Sequence, residues 1–315
     1  MRYRNSILAA ALVIPLCLLC TSCPRPSEGT VADSLRVEGA RRTFLVHVPM
    51  ASNLGVKRPL LIVLHPFTGT GRSMEQLTGF SSVADSEGFI VAYPDGRQRV
   101  WNANPASPSS LLGAPADDVA FVSALIDYLI EKHNADPDRV YVAGASSGGL
   151  MTHRVACELT DKLAAAAAVM ITLPTGWQDR EDPAKPLPFL MIQGVADPFF
   201  PWEGGTVNEG PFRKHTYQSA ADTVAFWVAQ NNANPSPVET NLPDTSSDDG
   251  TTVFERHYAA QPEGAEVILY GINGGGHTWP GSTDDSLKFL VGTTSQDINA
   301  SKVIWDFLKT HSRQD

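Results

Sequence analysis

The sequence predicts an α/β fold with a mostly parallel central sheet flanked by helices, and three observations carry that expectation. From Thr43 onward, short β-branched or apolar runs alternate with longer helical patterns. Several of those runs are apolar throughout, the pattern of strands covered on both faces. The best defined junction, Arg139 to Met151, sets a glycine-flanked serine, Gly144-Ala145-Ser146-Ser147-Gly148, in the turn between a strand and a helix.

The elements follow in chain order. Arg2 and Arg4 precede an apolar run from Ile7 to Leu19, and Thr21 and Ser22 follow it, so residues 1–22 have the layout of a secretory signal peptide. The run falls short of the roughly 20 apolar residues a spanning helix needs. Cys23, preceded by Cys20-Thr21-Ser22, is a candidate lipid acceptor that would anchor an exported chain to a membrane; simple secretion is the alternative. Residues 23–40 read as a tether, from the Pro, Ser and Gly bias of Pro24 to Ser34, and 41–315 as one folded domain. Strands are expected at Thr43 to Val48, Leu60 to Leu64, Phe89 to Tyr93, Val140 to Ala143, Ala165 to Ile171, Phe189 to Ile192, Thr252 to His257 and Val267 to Gly271. Asp117 to His133 is the clearest helix: Val119, Val122, Ile126 and Leu129 recur at three and four residues, and Asp136-Pro137 follows its end. Further helices are expected at about Tyr217 to Gln230 and Ile298 to His311, and loops at Asn102 to Ala116 and Asn234 to Gly250, where Pro, Ser and Asp gather.

Composition narrows the function. With 43% hydrophobic residues in 315, the chain can bury a large core, which excludes a disordered or collagen-like protein. The formal charge of −10, or −12 once Arg2 and Arg4 leave with a cleaved leader, has the wrong sign for gripping a phosphate backbone, so no nucleic-acid partner is expected. Of the 4 cysteines, Cys17, Cys20 and Cys23 lie at the N-terminus and only Cys157 in the domain, which leaves no internal disulfide and casts Cys157 as a small apolar core residue. The histidines show no pair at ligand spacing, so no metal and no cofactor is expected.

The turn at Ser146 carries the chemistry. Gly-x-Ser-x-Gly between a strand and a helix projects its serine above the sheet, and glycines are needed because the turn crowds strand against helix. The pentapeptide alone also fits an ordinary Gly/Ser turn, but no Gly-Lys-Ser/Thr or Gly-x-Gly-x-x-Gly pattern supports a nucleotide loop. A serine is a poor nucleophile without a histidine to take its proton and a carboxylate to orient that histidine. Asp197 follows the apolar run Leu187 to Ile192 in the loop where such a carboxylate belongs, with Asp179 and Asp182 as competitors in the polar stretch before it. His277 sits in Gly274-Gly275-Gly276-His277-Thr278-Trp279 after the last strand; His215 and His257 also follow Asp197 but lack that glycine-rich setting. One oxyanion donor is the Ser147 amide at the start of the helix. The second is expected after Leu60 to Leu64, where Pro66 has no N–H, leaving the amide of Phe67 or that of Thr68. Phe67, Trp101, Phe199, Phe200, Trp202 and Trp279 fall in segments expected to border the site; Trp101, Trp202 and Trp279 are the candidate substrate-binding residues.

Taken together, Leu64-His65, Tyr93-Pro94-Asp95-Gly96, Trp101-Asn102, Asp117-Asp118-Val119, Asp136-Pro137-Asp138-Arg139-Val140-Tyr141, Gly144 to Gly149, Ala156-Cys157-Glu158, Ala196-Asp197, Gly275 to Gly281 and Ile304-Trp305-Asp306-Phe307 resemble the polyhydroxybutyrate depolymerase and feruloyl/acetylxylan esterase group of secreted α/β-hydrolases, over about Arg41 to His311. The resemblance implies an α/β-hydrolase fold, a triad at Ser146, Asp197 and His277, and an ester substrate, either a hydroxyalkanoate oligomer or a plant-wall ester. The chain departs from the group in having His65-Pro66 where His-Gly is usual, in lacking the cysteine pair of some members, and in showing no polymer-binding module after His311, so soluble esters or oligomers are the expected substrates; a monomer is expected. Two other readings share parts of the pattern: a prolyl-oligopeptidase-like serine peptidase, which normally carries a large extra domain, and a noncatalytic cell-surface binding protein on a hydrolase scaffold.

Overall fold

A computed structural model describes residues 29–49, 55–103, 116–177, 183–208, 214–284 and 287–313. The expected signal peptide, Cys23 and the start of the tether lie outside the described residues. Among those described, ten strands form one sheet: β1 (Thr30–Val37), β2 (Ala40–His47), β3 (Arg58–Leu64), β4 (Ile90–Pro94), β5 (Ala135–Ala145), β6 (Ala165–Val169), β7 (Phe189–Gly194), β10 (Val238–Asn241), β11 (Thr252–Tyr258) and β12 (Val267–Asn273). Their order is β1-β2-β4-β3-β5-β6-β7-β12-β11-β10, parallel from β4 through β12 and antiparallel at both margins. A separate hairpin joins β8 (Gly205–Asn208) to β9 (Lys214–Tyr217).

Parallel strands β4, β6 and β7 are buried along their length and the carboxyl-terminal half of β5 with them, because both faces are covered. Leu60, Ile62 and Leu64 of β3 point into one core with residues of α3 (Asp118–His133), α4 (Ser147–Glu158) and α5 (Ala220–Gln230). Leu61 and Val63 point into the other, with residues of α1 (Gly71–Thr78), α2 (Phe80–Glu87) and α7 (Ala300–Leu308). Alternation by one residue sends successive side chains to opposite faces, so an uninterrupted apolar run is what a strand between two helical layers requires. The helices start where side chains can take up their free amides: Asp117 accepts from the Ala120 N–H, Ser219 from Asp222 and Asn299 from Lys302. α3 ends at Asn134, whose φ of 55° turns the chain directly into β5 ahead of the Asp136-Pro137 expected to stop it.

Two expectations change. The tether reading of residues 23–40 gives way at Thr30: β1 pairs with β2 from Thr30↔His47 to Val37↔Ala40. Half-exposed and polar on one face, β1 carries the composition of a linker while its backbone completes the sheet margin. Within the expected loop from Asn234 to Gly250, Val238–Asn241 forms the opposite edge strand, fully exposed and for that reason equally featureless in hydropathy.

The parallel strands all run toward one edge, and the loops leaving β3, β5, β7 and β12 at that edge begin with His65, Ser146, Val195 and Gly274. Side chains from these loops converge there, as open α/β sheets place their sites outside the carboxyl ends of the strands. One further anchor bears on the site. Arg42 of β2 donates to Asp118 Oδ1 at 2.6 Å, and the other oxygen of Asp118 accepts the Asn102 N–H at 2.7 Å. Arg154 of α4 holds the Asn102 carbonyl at 2.6 Å, so the Trp101-Asn102 segment is fastened to β2, α3 and α4 together.

Candidate active site

Ser146 occupies the turn between β5 and α4 with φ 54° and ψ −120°, a strained backbone that a non-glycine residue adopts only when its surroundings enforce it. The enforcement is visible on both sides. The Ser146 N–H donates to the Val169 carbonyl at the end of β6, and its own carbonyl accepts the Leu150 N–H of α4. A Cβ at Gly144 would lie 2.3 Å from the Gly148 carbonyl oxygen, which shows how closely strand and helix meet beneath the serine.

His277 reaches that serine from the loop after β12. Its Nε2 lies 3.0 Å from Ser146 Oγ and its Nδ1 2.8 Å from Asp197 Oδ2. The carboxylate can only accept, so Nδ1 carries the proton and Nε2 is free to receive one from the hydroxyl. The imidazole is fixed from behind, because the His277 N–H donates to the Val291 carbonyl of α6 (Lys288–Val291) and the Gly276 N–H to Thr293. Asp197 is more tightly held still. Its Oδ1 accepts the Phe199 and Phe200 amides at 2.8 and 2.9 Å, and the Ala196 N–H ties the same loop to the Gly275 carbonyl of the histidine loop.

The three residues singled out from chain order thus meet in one hydrogen-bonded line, across sequence separations of 80 and 131 residues. The competitors do not join it. Asp179 and Asp182 lie outside the described residues, His257 faces Glu266 at the far end of β11, and His215 lies on β9. His153, on α4, is entirely buried between Phe189 and Trp227 and accepts the Trp227 indole N–H at 2.8 Å; burial pushes its pKa down to about 3, so it is a neutral core residue. Cys157 is buried, as expected of a small apolar residue.

In the loop after β3 the two candidate amides differ in what they bond to. The Thr68 N–H is spent on the Arg99 carbonyl and the Gly69 N–H on that of Pro66, whereas Phe67 donates to no acceptor among the described residues. His65 sets the direction in which that amide points. Its Nε2 accepts the Gly96 N–H at 2.9 Å, so the ring proton is on Nδ1, which donates to the Pro66 carbonyl at 2.8 Å. With Gly69 on the same oxygen, two donors hold the Pro66 carbonyl, and in a trans peptide the N–H of the next residue points the opposite way. The Phe67 N–H is therefore turned outward by the capture of its own peptide oxygen. Burial holds the His65 pKa below the usual imidazole value, which keeps the ring in this one-proton form. His65→Phe retains a ring and loses both hydrogen bonds. A fall in kcat of about thirtyfold with little change in KM is the expected result for a displaced oxyanion donor, read from steady-state kinetics on a nitrophenyl ester, together with a lower melting temperature because the buried Gly96 N–H loses its acceptor.

The aromatic residues sort differently from the expectation. Trp101 and Trp279 are core residues, 3% and 2% exposed. The Trp101 indole donates to the His65 carbonyl and lies 4.8 Å from the His65 ring, so it supports the β3 loop from beneath. The Trp279 indole donates to Ser301 Oγ and meets Phe80 edge-on. Trp202 is half-buried, edge-on to Phe254. The rings at the reacting atoms are Phe199 and Phe200, 5.2 and 5.5 Å from His277, with Phe67 exposed beside the amide it carries. Gln193, one residue past the strand expected at Phe189 to Ile192 and assigned no role from the sequence, also reaches the line of residues: its Nε2 lies 3.2 Å from Asp197 Oδ2.

Comparison with known proteins places the chain among α/β-hydrolase esterases. A family model described as α/β hydrolase fold matches residues 105–200. The chain is 34% identical to a Nocardia uniformis subsp. tsuyamanensis protein named "Putative esterase NocK", over 90% of this chain and 84% of that protein. It is 31% identical to feruloyl esterase B of Piromyces equi over 75% of this chain, and spans only 42% of that longer protein. Among solved structures, an acetyl xylan esterase from Aspergillus awamori superposes with a TM-score of 0.55 at 17% identity, over 82% of this chain and 98% of its own. A thermostable esterase superposes with a TM-score of 0.57 at 15% identity, over 91% and 64%. These two share the fold.

Proposed function

The chain belongs to the α/β-hydrolase esterases, and from that premise we propose that it is a serine carboxylic-ester hydrolase working through Ser146, His277 and Asp197. The observation that carries the reading is the unbroken line from Ser146 Oγ through both nitrogens of His277 to Asp197 Oδ2. Ser146 Oγ attacks the ester carbonyl while His277 Nε2 takes the hydroxyl proton. The negative charge that develops on the carbonyl oxygen is met by the amides of Phe67 and Ser147, the latter at the N-terminus of α4. His277 then returns its proton to the departing alkoxide, an alcohol leaves, and water enters by the same route to release the acid. Asp197 stays ionised throughout and keeps His277 in the one orientation that serves both transfers.

The wall of the site argues for an apolar or aromatic group on the substrate, since Phe199 and Phe200 pack on His277 and Phe67 is exposed on the loop after β3. The feruloyl and acetylxylan esterases among its relatives point to plant-wall esters as the first substrates to try. Export, on the strength of residues 1–22, and lipid attachment at Cys23 belong to the same proposal. A fluorophosphonate probe tests the catalytic core directly: stoichiometric labelling, mapped to Ser146 by peptide mass spectrometry and accompanied by loss of ester hydrolysis, is the expected outcome. An unlabelled Ser146 in an intact protein favours the binding-protein reading instead.

A further inference from the structure

Gln193, at the end of β7, is fully buried. Its Nε2 lies 3.2 Å from Asp197 Oδ2 and 2.9 Å from the Phe200 carbonyl oxygen. Both neighbours only accept, so the side-chain amide has one possible orientation: the nitrogen faces them and Oε1 faces away. In that orientation Oε1 is buried with no partner among the described residues. An unpaired buried acceptor is a standing cost, and a methionine or leucine would fill the same apolar position without it. A residue that bears such a cost is there for its donor.

We propose that Gln193 is a positioning residue for hydrolysis: its amide holds Asp197 Oδ2 in the plane from which it orients His277. Oδ1 of Asp197 is already fixed by the amides of Phe199 and Phe200. Oδ2, the oxygen that matters, has His277 Nδ1 at 2.8 Å and Gln193 Nε2. The second N–H of Gln193 binds the Phe200 carbonyl, so one side chain joins the carboxylate to the far end of the turn whose amides hold its other oxygen. Asp197 is thereby held through both oxygens by a closed ring of donors, and the Phe200 ring that packs on His277 is placed by the same turn.

The proposal rests on the triad reading above, and a double-mutant cycle separates the two. Gln193→Met removes the donor at similar volume and is expected to lower kcat about tenfold on a nitrophenyl ester, with KM changed less than twofold. In an Asp197→Ala background, itself strongly impaired, the same change is expected to cost less than twofold, because the group through which Gln193 acts is gone. An equal loss in both backgrounds, or no loss in either, overturns the proposal and leaves the triad standing. Undiminished activity of Asp197→Ala overturns the triad reading and the Gln193 proposal with it. Gln193→Leu, with melting temperatures recorded for every variant, supplies the same cycle should the methionine variant fold poorly: a loss of activity that tracks melting temperature alone counts against positioning.

Discussion

Ser146→Ala is expected to reduce kcat for ester hydrolysis by about 10⁶-fold, His277→Ala by about as much, and the double variant by no more than either alone. The reason is that the two residues act as one device: without the hydroxyl there is nothing for His277 Nε2 to deprotonate at 3.0 Å, and without the imidazole the hydroxyl keeps its proton. Asp197→Asn is expected to cost less, about 10⁴-fold, while leaving the fold intact. The side-chain amide can still occupy the position, but when its nitrogen faces His277 Nδ1 it donates where the carboxylate accepted, forcing the ring proton onto Nε2 and pointing it at Ser146. Single-turnover kinetics on an activated ester, with circular dichroism to show that each variant is folded, checks the series. Additive losses in the double variant, or residual activity above a hundredth of wild type in Ser146→Ala, contradict a shared serine mechanism.

How much of this could be read from the sequence divides along physical lines. The buried parallel strands announce themselves, because covering both faces requires uninterrupted apolar runs such as Leu60 to Leu64. The edge strands β1 and β10 do not, since an exposed strand needs no distinctive side chains and its backbone partners are set by tertiary context. The three candidate residues that meet in the structure are accessible through local chemistry: a serine between glycines after a strand, an aspartate after a strand, a histidine among glycines. Neighbourhood in sequence misled for Trp279, which stands two residues from His277 yet turns away to α7, and for Trp101, which packs beneath the β3 loop. Side-chain direction is a property of the folded loop, not of proximity to a motif. Gln193 and His65 were missed as functional parts for a related reason: each acts by holding a backbone or carboxylate oxygen that belongs to some other residue, and nothing local signals that service. For Gln193 the sequence offers only a polar residue after the apolar run Phe189-Leu190-Met191-Ile192, which marks an odd position without naming its partner.

Gly148→Ala should damage both stability and rate, although the residue touches no substrate. A Cβ there would stand 2.2 Å from the Leu64 carbonyl oxygen, 2.5 Å from that of His65 and 2.6 Å from the Leu64 carbonyl carbon. All three are backbone atoms at the end of β3, and none has a rotamer by which to move aside. The clash must push the first turn of α4 away from the loop after β3, and those two segments carry the Ser147 and Phe67 amides that have to converge on one oxygen. Opening that gap by even a fraction of an ångström lengthens both contacts to the developing charge. We expect a loss of about 3 kcal/mol in stability from the forced overpacking and a fall of about 10³-fold in kcat/KM. Gly149→Ala is the informative control. Its nearest neighbour is Ile171 Cγ2 at 2.7 Å, a side-chain methyl able to shift, and the next is the Val169 carbonyl oxygen at 3.1 Å. It should lose some stability while retaining most of its rate. Thermal melts and nitrophenyl-ester kinetics on the two variants give the comparison: equal rates for both would show that the approach of α4 to the β3 loop does not govern the oxyanion site.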